Sequence, residues 1–128
     1  MVILALMNAP KPLVVIFEDD DASADGLMLI LRDWGAEVLR AEAVDPIADM
    51  LGRRIGEIAC IITDFNLGDG PDGVTLTQRL KEHAPTARVL VLSGSFHGRA
   101  ALSAAASGYE IMQKPATAAA IIDWLERR

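Results

Sequence analysis

Four carboxylates in two short stretches are the residues best placed to do chemistry in this chain. Glu18, Asp19 and Asp20 follow directly on the apolar run Leu13–Phe17, and Asp64 follows a second apolar run, Ile58–Ile62, with only Thr63 between. Both runs read as buried strands of one parallel sheet, so their C-terminal ends open at the same edge and bring three or four carboxylates into one crevice. Away from bulk water such a cluster repels itself. A like-charged pair ~4 Å apart costs ~1 kcal/mol at the permittivity of water and ~4 kcal/mol at an effective permittivity of ~20. A hard divalent cation relieves the repulsion, and oxygen ligands suit Mg²⁺.

The elements that must position these acids alternate along the chain. Short apolar runs are separated by stretches of helical period, the pattern of repeated βα units with helices on both faces of a parallel sheet. The spacing predicts strands at Leu13–Phe17, Glu37–Arg40, Ile58–Thr63, Val89–Leu92 and Glu110–Gln113. The first, third and fourth are apolar throughout and belong inside the sheet, with the first central; the polar-flanked second and fifth suit less buried places. Leu27, Ile30, Leu31 and Trp34 mark a first helix that starts among Asp20, Asp21 and Ser23 and stops at Gly35. Further helices are expected from Asp45 to about Arg54, from Gly73 to His83 ahead of Pro85, and through the alanine-rich stretch after Gly98. Thr117 caps a last helix with the stripe Ala118, Ile121, Ile122 and Leu125. Trp124 falls off that stripe, which leaves it either an exposed anchor for a partner or second copy, or a cover for a neighbouring helix.

Composition narrows the function classes. At 128 residues there is room for one domain, and 52% hydrophobic against 23% charged residues excludes a disordered chain. A net charge of −6 and the lack of a basic stripe argue against nucleic-acid binding. The lone Cys60 lies in an apolar strand run and reads as a buried inert thiol. The apolar opening of residues 1–7 has no charged start and falls short of the ~20 residues of a membrane span. The expectation is a cytoplasmic protein with an N-terminal extension over residues 1–11 and one domain over residues 12–128, without membrane or nucleic-acid partners.

In open α/β sheets ligands sit outside the carboxyl ends of the strands. That edge also receives Ser93 and Gly94 after the fourth strand, and Lys114 and Pro115 after the fifth. Carboxylates, a hydroxyl and a lysine converging there suit phosphoryl transfer, which is mostly positioning and charge neutralisation. The segments VVIFEDDDASAD, IITDFNLGDGPDG, VLVLSGS and MQKPAT, in this order and spacing, resemble the receiver domain of the bacterial two-component response regulator family, in its chemotaxis-regulator-like form. The resemblance runs from about Pro12 to Arg128. It implies a flavodoxin-like α/β fold, a doubly wound five-stranded parallel sheet of order 2-1-3-4-5 with five helices. It also implies roles: Asp64 as phosphoacceptor; Glu18, Asp19, Asp64 and the main-chain carbonyl of Asn66 as ligands of Mg²⁺; Ser93 bonding the phosphoryl group; and Lys114 pairing with it. Pro115 would be reached through a cis bond.

Departures and plainer readings stand beside these assignments. The family usually carries Tyr or Phe three residues before the lysine, where this chain has Ile111; Tyr109, two residues earlier, is read as packing at the strand entrance. Ser93 replaces the commoner threonine and keeps the hydroxyl. The stretch GDGPDG after Leu67 reads as a variant turn-rich loop. Asp20, Asp21 and Asp25 are read as helix-start acids, and His83 and His97 as ordinary surface residues.

The expected function is a stand-alone, phosphorylation-controlled switch. Its partners would be a sensor histidine kinase or histidine phosphotransfer protein and an unidentified downstream target, and its state a monomer or weak homodimer. It would be no enzyme beyond its own phosphorylation and dephosphorylation. Two alternatives are a phosphorylation-independent adaptor, motivated by Ile111, and a small Mg²⁺-dependent phosphatase.

Overall fold

The computed structural model describes residues 11–67, 71–94 and 98–127. Among them, five strands and five α-helices follow in strict alternation. Strand β1 (Leu13–Phe17) leads to helix α1 (Asp21–Trp34), β2 (Glu37–Ala41) to α2 (Val44–Leu51), and β3 (Ile58–Asp64) to α3 (Gly73–Lys81). Strand β4 (Arg88–Ser93) then leads to α4 (Arg99–Ser107), and β5 (Glu110–Gln113) to α5 (Ala118–Glu126). The strands are all parallel, in the order β2-β1-β3-β4-β5.

Burial follows the apolar content of each strand. Every residue of β1 is buried, whereas the edge strand β5 shows no fully buried residue and β2 only Val38. Because successive side chains point to opposite faces, each interior strand feeds two cores. Val15, Phe17, Ile61 and Val91 pack with Ile47, Leu51, Val74, Leu80 and Ala104 beneath α2, α3 and α4. Val14, Ile16, Ile62, Leu90 and Leu92 pack with Leu27, Leu31, Ile121 and Leu125 beneath α1 and α5.

Helix ends obey local chemistry. Asp20 caps α1 by accepting the Ser23 N–H at 2.8 Å, and Gly35 ends it in the left-handed conformation at φ 116°. Thr117 caps α5 by accepting the Ala120 N–H at 3.1 Å. Two helices are shorter than their sequence period predicts. Helix α2 stops at Leu51 because Gly52 turns to φ 53°, after which Gly52–Glu57 forms a 3-10 helix. Helix α3 stops at Lys81 rather than His83; Pro85 disfavours helical geometry at Ala84, and the Lys81 ammonium folds over to donate to the Ala87 carbonyl at 2.9 Å.

Trp124 is not an exposed anchor. It is 1% exposed in the core under α1 and α5, three residues from Ile121 and beside Leu125, so the buried face of α5 centres on these residues while Ala118 is exposed. The Arg88 guanidinium lies 4.2 Å from its ring centroid and donates to the Trp124 and Leu125 carbonyls at 2.9 and 3.3 Å, closing the C-terminal end of α5. Cys60 is buried and Tyr109 packs half-buried on the core at the entrance to β5, both as expected. His83 is exposed, while His97, residues 1–10 of the extension and residues 68–70 of the turn-rich loop lie outside the described residues. Among the described residues no helix is long and apolar enough to cross a membrane.

Candidate functional site

The register of the sheet makes the site. Phe17 pairs with Thr63 across β1 and β3, so the residues that follow, Glu18 and Asp64, leave the sheet side by side. One carboxylate oxygen from each of Glu18, Asp19 and Asp64 lies within 4.8 Å of the others. Glu18 is 4% exposed, Asp64 12%, and Asp19 faces solvent.

Each group is held by local hydrogen bonds. Glu18 Oε1 accepts the Asp20 N–H at 3.2 Å, and the Glu18 main-chain carbonyl accepts from Arg40 Nε at 2.9 Å. Asp64 ends β3 opposite Leu92, and the ladder continues one step as the Phe65 N–H donates to the Leu92 carbonyl at 3.0 Å. The Asn66 N–H donates to Asp64 Oδ1 at 3.3 Å. Gly73, the first residue of α3, donates to the Phe65 carbonyl at 2.9 Å and is pressed against the end of β3, where a Cβ would overlap the Asp64 carbonyl oxygen and Thr63 Oγ1.

Lys114 closes the site from the other side. Its N–H donates to the Ser93 carbonyl at 2.7 Å, tying the end of β5 to the end of β4, and the Lys114–Pro115 peptide bond is cis. From there Lys114 Nζ reaches Asp64 Oδ2 at 3.0 Å and Glu18 Oε2 at 3.5 Å. Burial, then the Asp64 charge, raises the Glu18 pKa above its ordinary value, and the nearby Lys114 only partly offsets them. Burial alone would lower Lys114; the hydrogen bond and charge of Asp64, followed by those of Glu18, outweigh it and hold the ammonium above its usual range.

The structure thus brings together Glu18, Asp19, Asp64 and Lys114, and sets Ser93, 3% exposed, at the same edge one strand away. Asn66 is exposed beside Asp64. Asp20 and Asp21 stand apart as helix-start acids, Asp20 as the cap and Asp21 in an ion pair with Arg40 at 2.9 Å. Ile111 faces the core with Tyr109, so no aromatic ring occupies that position of β5. Two residues were missed in the sequence, Arg40 and Gly73. The lone arginine inside EVLRA was the available signal for the first, and the glycine opening α3 after Asp72 for the second. Oxygen-only donors, with Glu18 already pushed toward protonation by burial and by the Asp64 charge, fit a hard divalent cation.

Residues 14–126 match the response regulator receiver domain model, and the chain belongs to that family. No curated protein matches it. Among solved structures, a response regulator protein from Burkholderia pseudomallei with a phosphorylated aspartic acid, calcium ion and citrate is 26% identical, with a TM-score of 0.74 over 91% of this chain and 67% of that one. A putative response regulator from Chloroflexus aurantiacus is also 26% identical, at a TM-score of 0.75 over 91% and 96% of the two chains. A CheY-like receiver domain protein from Methanospirillum hungatei, 19% identical, shares the fold at a TM-score of 0.75 over 91% and 92%.

Proposed function

We propose that Asp64 accepts a phosphoryl group from a phosphohistidine of a sensor kinase or phosphotransfer protein, and that the phosphorylated chain signals through altered protein contacts. The observation that carries this reading is the convergence of the Asp64 carboxylate with Glu18, Asp19 and the Lys114 ammonium at one sheet edge. In the transfer an Asp64 oxygen forms a bond to phosphorus, the bond from phosphorus to the histidine nitrogen breaks, and that nitrogen keeps the electron pair. Glu18, Asp19 and Asp64, with the Asn66 carbonyl, would hold Mg²⁺, which when bound supplies charge neutralisation for the phosphoryl oxygens. Lys114, already bonded to Asp64, stays within reach of the transferred group, and Ser93 supplies a hydroxyl from the end of β4. An aspartyl phosphate would carry roughly −1.5 to −2 charges where the carboxylate carried one, with three acceptor oxygens to redraw the ion pairs of this edge. The reading puts the protein in the cytoplasm with its kinase, and confines its chemistry to its own Asp64.

Incubation with acetyl phosphate and Mg²⁺ should add one phosphoryl group to the wild type and none to Asp64→Asn. An unmodified wild type, or equal labelling of both, rejects the mechanism. Sustained turnover of phosphate esters beyond one equivalent would indicate a phosphatase instead.

Ile111 favours a second reading, an adaptor whose partner binding ignores phosphorylation, because the position lacks the aromatic ring expected of a rotating switch. Partner affinity measured with and without phosphorylation separates the two: a change supports the switch, and equality the adaptor.

A further inference from the structure

Strand β1 is hydrogen-bonded on both sides only as far as Phe17, which pairs with Ala41 on one side and Thr63 on the other. The Glu18 carbonyl lies one residue past those ladders and needs another donor. Arg40 supplies it. Its backbone is opposite Ile16 in the edge strand β2, and its side chain runs along the sheet edge to place Nε 2.9 Å from the Glu18 carbonyl oxygen. The same guanidinium pairs with Asp21 Oδ1 at 2.9 Å, at the start of α1. Arg40 is 23% exposed and Asp21 89%, so the first contact is sheltered and the second is open to water. Between the two contacted residues, Glu18 and Asp21, lie Asp19 and Asp20.

We propose that Arg40 is a positioning residue of the acid site: its fork pins the segment from Glu18 to Asp21 so that the Glu18 and Asp19 carboxylates face Asp64. The inference rests on the reading of this site as a Mg²⁺ site. It separates from a simple charge effect by sign. A guanidinium beside the acids repels an incoming cation, so a charge effect alone makes its removal tighten Mg²⁺ binding. Pinning works the other way, because outer groups that orient ligands strengthen the metal they do not touch. Lysine keeps the charge and lacks the planar fork that spans two acceptors.

Mg²⁺ titration by calorimetry of the wild type, Arg40→Lys, Arg40→Gln and Asp21→Asn tests this. Weakening of roughly tenfold is expected for both Arg40 variants. Asp21→Asn keeps an oxygen acceptor for the fork and removes only the charge of an exposed pair, so it should change the dissociation constant by less than about twofold. With acetyl phosphate as donor, the half-saturating Mg²⁺ should rise in the Arg40 variants while the labelling rate at saturating Mg²⁺ holds. Equal or tighter binding by Arg40→Gln overturns the pinning role. Unchanged binding by Arg40→Lys, where the charge is kept, overturns the fork. A wild type that takes up no Mg²⁺ overturns the metal reading and this inference together, so the two failures are distinct.

Discussion

Lys114 Nζ donates to Asp64 Oδ2 at 3.0 Å, joining two strand ends that have β4 between them. The contact also brings the ammonium within 3.5 Å of Glu18, so a single cation serves two acids that repel each other. Lys114→Met should therefore destabilise the metal-free protein. The loss is expected at about 1–2 kcal/mol, below that of a fully buried pair because the lysine is 31% exposed. Mg²⁺ should restore most of it. Urea denaturation with and without Mg²⁺ measures both, and a variant as stable as the wild type in EDTA would contradict the compensating role.

Glu18 sets a pH dependence. Its pKa lies above the ordinary 4.5, so in the window between the two values the native state binds more protons than the unfolded chain. Metal-free protein should accordingly gain stability as pH falls from neutral toward 4.5, before general acid unfolding intervenes. Glu18→Gln should melt higher than the wild type at pH 7 in EDTA, lose that dependence, and gain little from Mg²⁺. Thermal melts across pH with and without EDTA provide the check; a wild type that loses stability steadily through this window contradicts it.

Gly73 packs where no side chain fits. Gly73→Ala forces the start of α3 away from the Asp64 and Thr63 main chain, at a cost of about 3 kcal/mol. A displacement of ~1 Å at the attacking carboxylate should also slow phosphorylation roughly a hundredfold. Chemical denaturation and the labelling rate with acetyl phosphate read the two effects. Wild-type values for both would mean that the close approach has no role.

Arg88 closes α5 and covers Trp124, far from the acids. Arg88→Leu removes two charged hydrogen bonds and a ring contact and should cost about 2 kcal/mol, with phosphorylation unchanged. A change in Mg²⁺ affinity of this variant would reveal coupling between the bottom of the sheet and its top.

Much of this was legible in the chain because the signals were local. Apolar runs without interruption marked β1, β3 and β4 as interior strands, and polar flanks marked β2 and β5 as less buried ones. The meeting of Asp64 with Glu18, Asp19 and Lys114 followed from strand ends at one sheet edge. What escaped depends on register or on contacts across the fold. Arg40 matters because it lies opposite Ile16, and nothing in EVLRA states that pairing. Trp124 is buried in the core under α1 and α5 and covered by Arg88, thirty-six residues earlier, contacts helical period does not encode. The early end of α2 is a backbone choice at Gly52, where either continuation was open to the sequence.

The acids end or directly follow interior strands, whereas Arg40 lies in one outermost strand, β2, and Lys114 directly follows the other, β5. Outer strands are laddered on one side only and fray first. A partly loosened molecule would shed its basic residues from both margins while the anionic midline stayed intact, and so lose at once the clasp that aims its acids and the ammonium that balances them. Amide exchange should then quicken at Arg40 and Lys114 well ahead of Phe17 and Thr63.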